Sequence, residues 1–136
     1  MKAKIVLSVA MLIIAPRASY AEPYTVKLRH PICEDTYITE INARIGYEEN
    51  NKFVYGDPKE VGSAVTYANG EIGVSYDYVP ALSEDAHVGD KVRLCKVAKP
   101  VHCPKGDDRG QIYRAFDYRT GKSWTLMNSG HGCGGA

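Results

Sequence analysis

From Tyr24 onward, apolar and polar residues alternate in steps of two nearly everywhere. That is the period of a half-buried β-strand, whose side chains point to opposite faces in turn. Tyr24, Val26 and Leu28 open the pattern. Tyr37, Thr39, Ile41, Ala43, Ile45 and Tyr47 then form one face, against Glu40, Asn42, Arg44 and Glu48 on the other. The same segment also fits a helix through Ile38, Ile41 and Ile45, but its β-branched and aromatic content favours a strand. Glu48-Glu49-Asn50-Asn51 reads as a turn, Phe53 to Tyr55 as a short strand, and Gly56 to Gly62, with Asp57-Pro58 inside it, as a loop.

The clearest local signal follows. Ala64 to Tyr67 and Ile72 to Val79 flank Ala68-Asn69-Gly70-Glu71. Asn-Gly predicts a type I′ hairpin turn, because both central positions need positive φ. On the second strand Ile72, Val74, Tyr76 and Tyr78 share a face. Pro80 to His87 reads as a loop or a single helical turn, Gly89-Asp90 as another turn, and Val92 to Val97 as a strand carrying Cys95. Residues 98–110 read as irregular. A final hairpin sets Ile112, Phe116 and Tyr118 on an inner face, turns at Arg119-Thr120-Gly121, and returns through Ser123 to Met127. The glycine-rich tail from Asn128 is not regular structure. Short strands at this spacing predict an all-β chain: a small antiparallel β-barrel or sandwich of about seven strands.

The first residues follow a different rule. Lys2 and Lys4 precede an apolar run from Ile5 to Ala15, and Ser19-Tyr20-Ala21 places small residues where a signal peptide is cut. The run is well short of the ~20 residues that span a bilayer. Residues 1–21 are therefore expected to be a signal peptide, leaving 22–136 as a single domain in the periplasm or outside the cell. With Lys2, Lys4 and Arg17 removed, 14 basic residues face 16 acidic ones, a net charge of −2. Nucleic acid and anionic membrane both call for a basic surface, so neither is the expected partner, and the domain is not expected to be membrane-embedded.

Export also changes how the cysteines read. Cys33, Cys95, Cys103 and Cys133 are an even set in a small exported chain, which predicts two disulfides. Three connectivities are possible. The prolines at 100 and 104 favour a local Cys95–Cys103 loop, which would leave Cys33–Cys133 to tie the tail to the start of the domain. A zinc site from Cys95, His102, Cys103, His131 and Cys133 is the alternative, but its spacings match no common module. No cofactor or metal is expected.

Candidate chemistry gathers late in the chain. Asp107-Asp108-Arg109, between Gly106 and Gly110, is the densest charged element; it reads as a carboxylate pair poised by an arginine or as a solvated turn. Lys99 and His102 sit on the loop that a Cys95–Cys103 bridge would stiffen, and a stiff loop loses little entropy when it binds. Tyr113 falls on the face opposite Ile112, Phe116 and Tyr118, which makes it a candidate surface aromatic, whereas Trp124 reads as core. His131 could serve Asp107 and Asp108 as part of a small hydrolase, but no nucleophile has a recognisable motif. The expectation is a binding or inhibitor-type protein using Lys99, His102, Asp107, Asp108, Arg109 and Tyr113. The alternatives are a cell-envelope hydrolase or an envelope-maintenance protein.

From Gly89-Asp90-Lys91-Val92 through Cys103-Pro104, Gly106-Asp107-Asp108-Arg109-Gly110, Arg119-Thr120-Gly121 and Trp124-Thr125-Leu126 to the Cys133-Gly134-Gly135-Ala136 terminus, the chain resembles a family of small exported proteobacterial proteins of unknown function. That resemblance implies export and a bacterial source. The segment Lys99-Pro100-Val101-His102, enclosed between Cys95 and Cys103, is also similar to the short disulfide-closed loop with Lys, Pro and His of periplasmic inhibitors of vertebrate lysozyme. What this second resemblance implies is a protein partner, a wall-degrading enzyme or a toxin, met by His102.

Overall fold

The computed structural model describes residues 24–135. The expected signal peptide lies outside the described residues. Eight strands and two single-turn helices follow in order: β1 (Tyr24–Ala43), β2 (Gly46–Glu49), β3 (Lys52–Tyr55), α1 (Pro58–Val61), β4 (Ser63–Tyr67), β5 (Ile72–Val74), α2 (Pro80–Ser83), β6 (Lys91–Val101), β7 (Ile112–Asp117) and β8 (Ser123–Met127). Six of the strands close an antiparallel barrel in the order β1-β4-β5-β8-β7-β6, while β2 and β3 form a separate hairpin. The all-β barrel expected from the alternation is the fold. Among the described residues no helix is long and apolar enough to cross a membrane.

Bulges explain where the alternation misleads. The register of β1 against β4 shifts between Ile38 and Glu40. The extra residue moves the inner face by one position, so Thr36 and Ile38 point inward before it and Ala43 after it, while Tyr37 and Thr39 are exposed. One added residue also gives Ile38 and Ile41 a helix-like spacing within a strand. The strand expected from Ile72 to Val79 ends at Val74, and in it Ile72 is exposed and Gly73 inside. A β-carbon on Gly73 would lie 2.8 Å from Leu126 Cδ1 and 2.9 Å from Val65 Cγ1, so the larger neighbours occupy that space. On β7 the inner face is Tyr113, Ala115 and Asp117, whereas Phe116 and Tyr118 are exposed. Tyr113 is thus a core residue and not the surface aromatic expected.

Turn chemistry also departs from expectation. Gly70 has φ 90°, but Asn69 has no positive φ, and Gly70 N–H donates to the Tyr67 carbonyl at 3.0 Å. This is the three-residue hairpin of a type I turn closed by a left-handed glycine, not a type I′ turn. The two-residue turn with both centres left-handed is Asn50-Asn51, at φ 52° and 59°.

The barrel is filled by Ile38, Val65, Tyr67, Val92, Leu94, Trp124 and Leu126, and α2 places Leu82 against them. Trp124 is core, as expected, and its Nε1 donates to the Tyr67 hydroxyl at 2.9 Å.

Two disulfides staple the fold, but the pairing is Cys33–Cys95 and Cys103–Cys133. The expected Cys95–Cys103 bridge fails because β6 runs on through Lys99, Pro100 and Val101. Extended chain rises about 3.3 Å per residue, which carries Cys103 far beyond disulfide reach of Cys95. Cys33 instead sits directly opposite Cys95 on the paired strands, with the α-carbons 4.0 Å apart. All four thiols are consumed, so none remains for the alternative zinc set.

Candidate functional site

The chain leaves β6 at Val101, and His102 takes a left-handed conformation at φ 60° that starts the loop to Gly110. Cys103 then bonds Cys133, so the irregular loop is fastened to the C-terminal tail. The carboxylate of Asp107 makes this attachment specific. Its Oδ1 accepts Arg109 Nε at 2.9 Å, and its Oδ2 accepts Arg109 Nη2 at 2.8 Å and the Gly134 backbone N–H at 3.0 Å. Arg109 Nη2 also donates to the Gly135 carbonyl at 3.2 Å. The Arg109 guanidinium, helped by the Gly134 and Arg109 amides, holds the Asp107 carboxyl far below the usual carboxylate range.

Asn128 ties the other side. Its Oδ1 accepts both the Gly110 and Gln111 backbone N–H groups at 3.0 Å, and its Nδ2 donates to the Asp108 carbonyl at 3.3 Å. Gly110 has φ 95°, and a β-carbon there would stand 3.2 Å from Gly132 Cα, so loop and tail approach backbone to backbone. The result is a knuckle of two chain segments, 102–110 and 128–135, joined by one disulfide, by the hydrogen bonds of Asn128 and by those that the Asp107–Arg109 ion pair makes to Gly134 and Gly135.

Of the residues expected to bind, Asp107 and Arg109 are turned to this internal fastening. His102 and Asp108 are exposed, as are Lys105 and His131. Lys99, Asp107 and Asp108 line a cleft of about 380 Å³, shared with Lys96 and Gln111. Tyr113 lies apart from them, in a second cleft of about 270 Å³ at the end of the barrel core, where its hydroxyl meets Glu71 Oε1 at 2.9 Å. Burial and the Glu71 carboxylate raise its pKa well above that of a free tyrosine. Lys96 belongs to both clefts, with its Nζ 5.6 Å from the Tyr113 ring centre.

Lys96, Glu71 and Asn128 escaped the sequence reading. Lys96 had a readable signal, because it continues the inward series Val92 and Leu94, and a lysine on a core-facing position marks an opening. Asn128 had none beyond its place ahead of the glycines. The Asp107 carboxylate is occupied by Arg109 and Gly134, and the Ser129 hydroxyl donates to the His131 carbonyl. Among the described residues no group of three or more His, Cys, Asp or Glu is placed to hold a metal ion.

Compared with family models, with curated proteins and with solved structures, the chain matches none.

Proposed function

We propose that the chain is an exported periplasmic protein of the binding or inhibitor type, acting through the loop 102–110 and the tail clamped to it. The observation that carries this reading is the double fastening of that knuckle, by Cys103–Cys133 and by the Asp107–Arg109 fork reaching Gly134 and Gly135. A surface whose backbone is already ordered loses little entropy on binding. His102, Lys105, Asp108 and His131 remain exposed on it as the groups a partner meets, with Lys99 in the adjoining cleft. Two disulfides and the three-zone N-terminus support an oxidising destination. Lys99 to Val101 lie in β6 and Cys95 bonds Cys33, so the disulfide-closed loop behind the similarity to lysozyme inhibitors is not formed, and a wall-degrading enzyme is the partner to test on the strength of the fastened knuckle alone.

The test is titration of the oxidised mature chain against a panel of lysozymes and other wall hydrolases, read as the rate of wall clearing, with cell fractionation of the full chain alongside. Stoichiometric inhibition of at least one enzyme is expected. His102→Ala and Asp108→Ala should each weaken it about tenfold, a loss of ~1.4 kcal/mol, at unchanged melting temperature. Inhibition left intact in both variants, or absent across the panel, overturns the proposed surface. Wall hydrolysis by the wild type that disappears in Asp108→Ala makes the protein an enzyme instead.

A further inference from the structure

A closed barrel has no edge to which another strand can add. The β2–β3 hairpin stands outside the barrel. Its register pairs Gly46 with Tyr55, Tyr47 with Val54, Glu48 with Phe53 and Glu49 with Lys52. A two-residue turn makes Glu49/Lys52 and Tyr47/Val54 the hydrogen-bonded pairs, so Gly46, Glu48, Phe53 and Tyr55 turn their N–H and C=O groups outward. Among the described residues those outward groups have no backbone partner. A lone two-stranded hairpin is marginal in water, and three or more strands are the usual requirement.

The two edges differ. β2 carries Glu48 and Glu49, charges of the kind that discourage strand addition. β3 is Lys52-Phe53-Val54-Tyr55, whose one charge stands at its start and whose other three residues are strong β-formers. Phe53 is 65 % exposed and Tyr55 46 %. Their rings meet edge to face at 5.1 Å, and Phe53 lies over Gly46, where an added β-carbon would come within 2.4 Å of its Cζ.

We propose that β3 pairs antiparallel with β3 of a second copy of this chain. The outward groups fix the register: Phe53 opposite Tyr55 of the second copy, with Val54 facing its counterpart on the two-fold axis. Each Phe53/Tyr55 pair exchanges two N–H···O bonds, and the two hairpins become one four-stranded sheet. Phe53 and Tyr55 of both copies then share one face, and Lys52 of each copy comes opposite Gly56 of the other, clear of its counterpart. Pairing through β2 would instead line up Glu48 and Glu49 of both copies along one seam. The contact is isologous and closed, and it leaves the acidic β2 edges outermost, so assembly stops at two.

Sedimentation of the oxidised mature chain from micromolar to millimolar concentration tests this. A reversible monomer–dimer equilibrium is expected. Phe53→Pro removes an outward N–H without touching the bonds inside the hairpin, and it should weaken the dimer by at least about tenfold. In Val54→Cys the two β-carbons face each other at about 5 Å, so mild oxidation should link two chains, whereas Tyr47→Cys should not. The near-ultraviolet signal of Trp124 reports the barrel in every variant, and the cysteine pair decides the matter if Phe53→Pro fails to fold. A wild type that stays monomeric throughout overturns the proposal. So does a dimer that links through position 47 or fails to link through position 54.

Discussion

Asp107 and Arg109, two residues apart on one loop, face each other in a two-pronged ion pair, with Nε on Oδ1 at 2.9 Å and Nη2 on Oδ2 at 2.8 Å. Both partners also hold the C-terminal tail, through the Gly134 N–H and the Gly135 carbonyl. A lysine keeps the charge but cannot form the planar fork. Arg109→Lys is therefore expected to release the tail while leaving the barrel intact. The check is amide hydrogen exchange: faster exchange at Gly134 with a nearly unchanged melting temperature.

The same ion pair sets an acid limit. The Asp107 carboxyl is held well below its ordinary value of 3.8, first by the Arg109 hydrogen bonds. Asp90 is lowered likewise, chiefly by Arg119, whose Nε and Nη2 reach its two oxygens at 2.7 and 2.8 Å. A carboxyl depressed in the folded state contributes stability that is complete above the unfolded pKa and lost as pH falls toward the folded value. Denaturation midpoints should therefore stay level as pH is lowered to about 4 and fall below that. Asp90→Asn should flatten the acid slope and lower the plateau at neutral pH.

The disulfides separate the barrel from the knuckle. Cys33 and Cys95 are 62 residues apart and cross-link β1 to β6, whereas Cys103 and Cys133 are 30 apart and join loop to tail. The chain-entropy model gives at most ~4.3 kcal/mol for the first and ~3.6 kcal/mol for the second. The double alanine variant at 33 and 95 should thus lower the denaturation midpoint at least as much as that at 103 and 133. Tail exchange should rise sharply in the second variant and little in the first.

How much of this was legible depends on distance along the chain. Local alternation suffices to read a barrel of short strands and to assign Trp124 to its core. It fails at Tyr113, because which face turns inward is decided by partners far away, as where Leu126 and Val65 fill the space beside Gly73. The cysteine pairing fails for the same reason, since Cys33 meets Cys95 through the register of β1 on β6. The Asp107-Asp108-Arg109 stretch stands out as the densest charged element, but its division into a fastening pair and an exposed Asp108 depends on where Gly134 comes to rest.

Gly62 shows what a single missing β-carbon permits. It ends α1 at φ 90°, and an added β-carbon would lie 2.1 Å from the Ser75 carbonyl oxygen and 2.7 Å from the Tyr76 backbone. The clash is with main chain, so no rotamer relieves it, and the backbone conformation itself disfavours an L side chain. Gly62→Ala is expected to destabilise by about 3 kcal/mol or more. Gly121→Ala is the control: it also has positive φ, 70°, but nothing lies within 4 Å of its added carbon. Its cost should be about 1 kcal/mol, as read by denaturant melts.

Among the described residues, the Trp124–Tyr67 hydrogen bond links side chains of β8 and β4 within the barrel core. Both residues are nearly fully buried, and burial raises the Tyr67 pKa far above that of a free tyrosine. Its hydroxyl therefore stays neutral and hydrogen-bonded across the physiological range. Tyr67→Phe leaves the indole N–H without an acceptor, at a cost of about 1–3 kcal/mol. Trp124→Phe strands the hydroxyl and opens a cavity besides, so it should cost more. In the double variant neither orphan exists. Its destabilisation should fall short of the sum of the singles by about 1 kcal/mol, measured as a double-mutant cycle of denaturant melts. Strict additivity would mean that the two groups do not stabilise each other, and that packing alone holds β8 against β4.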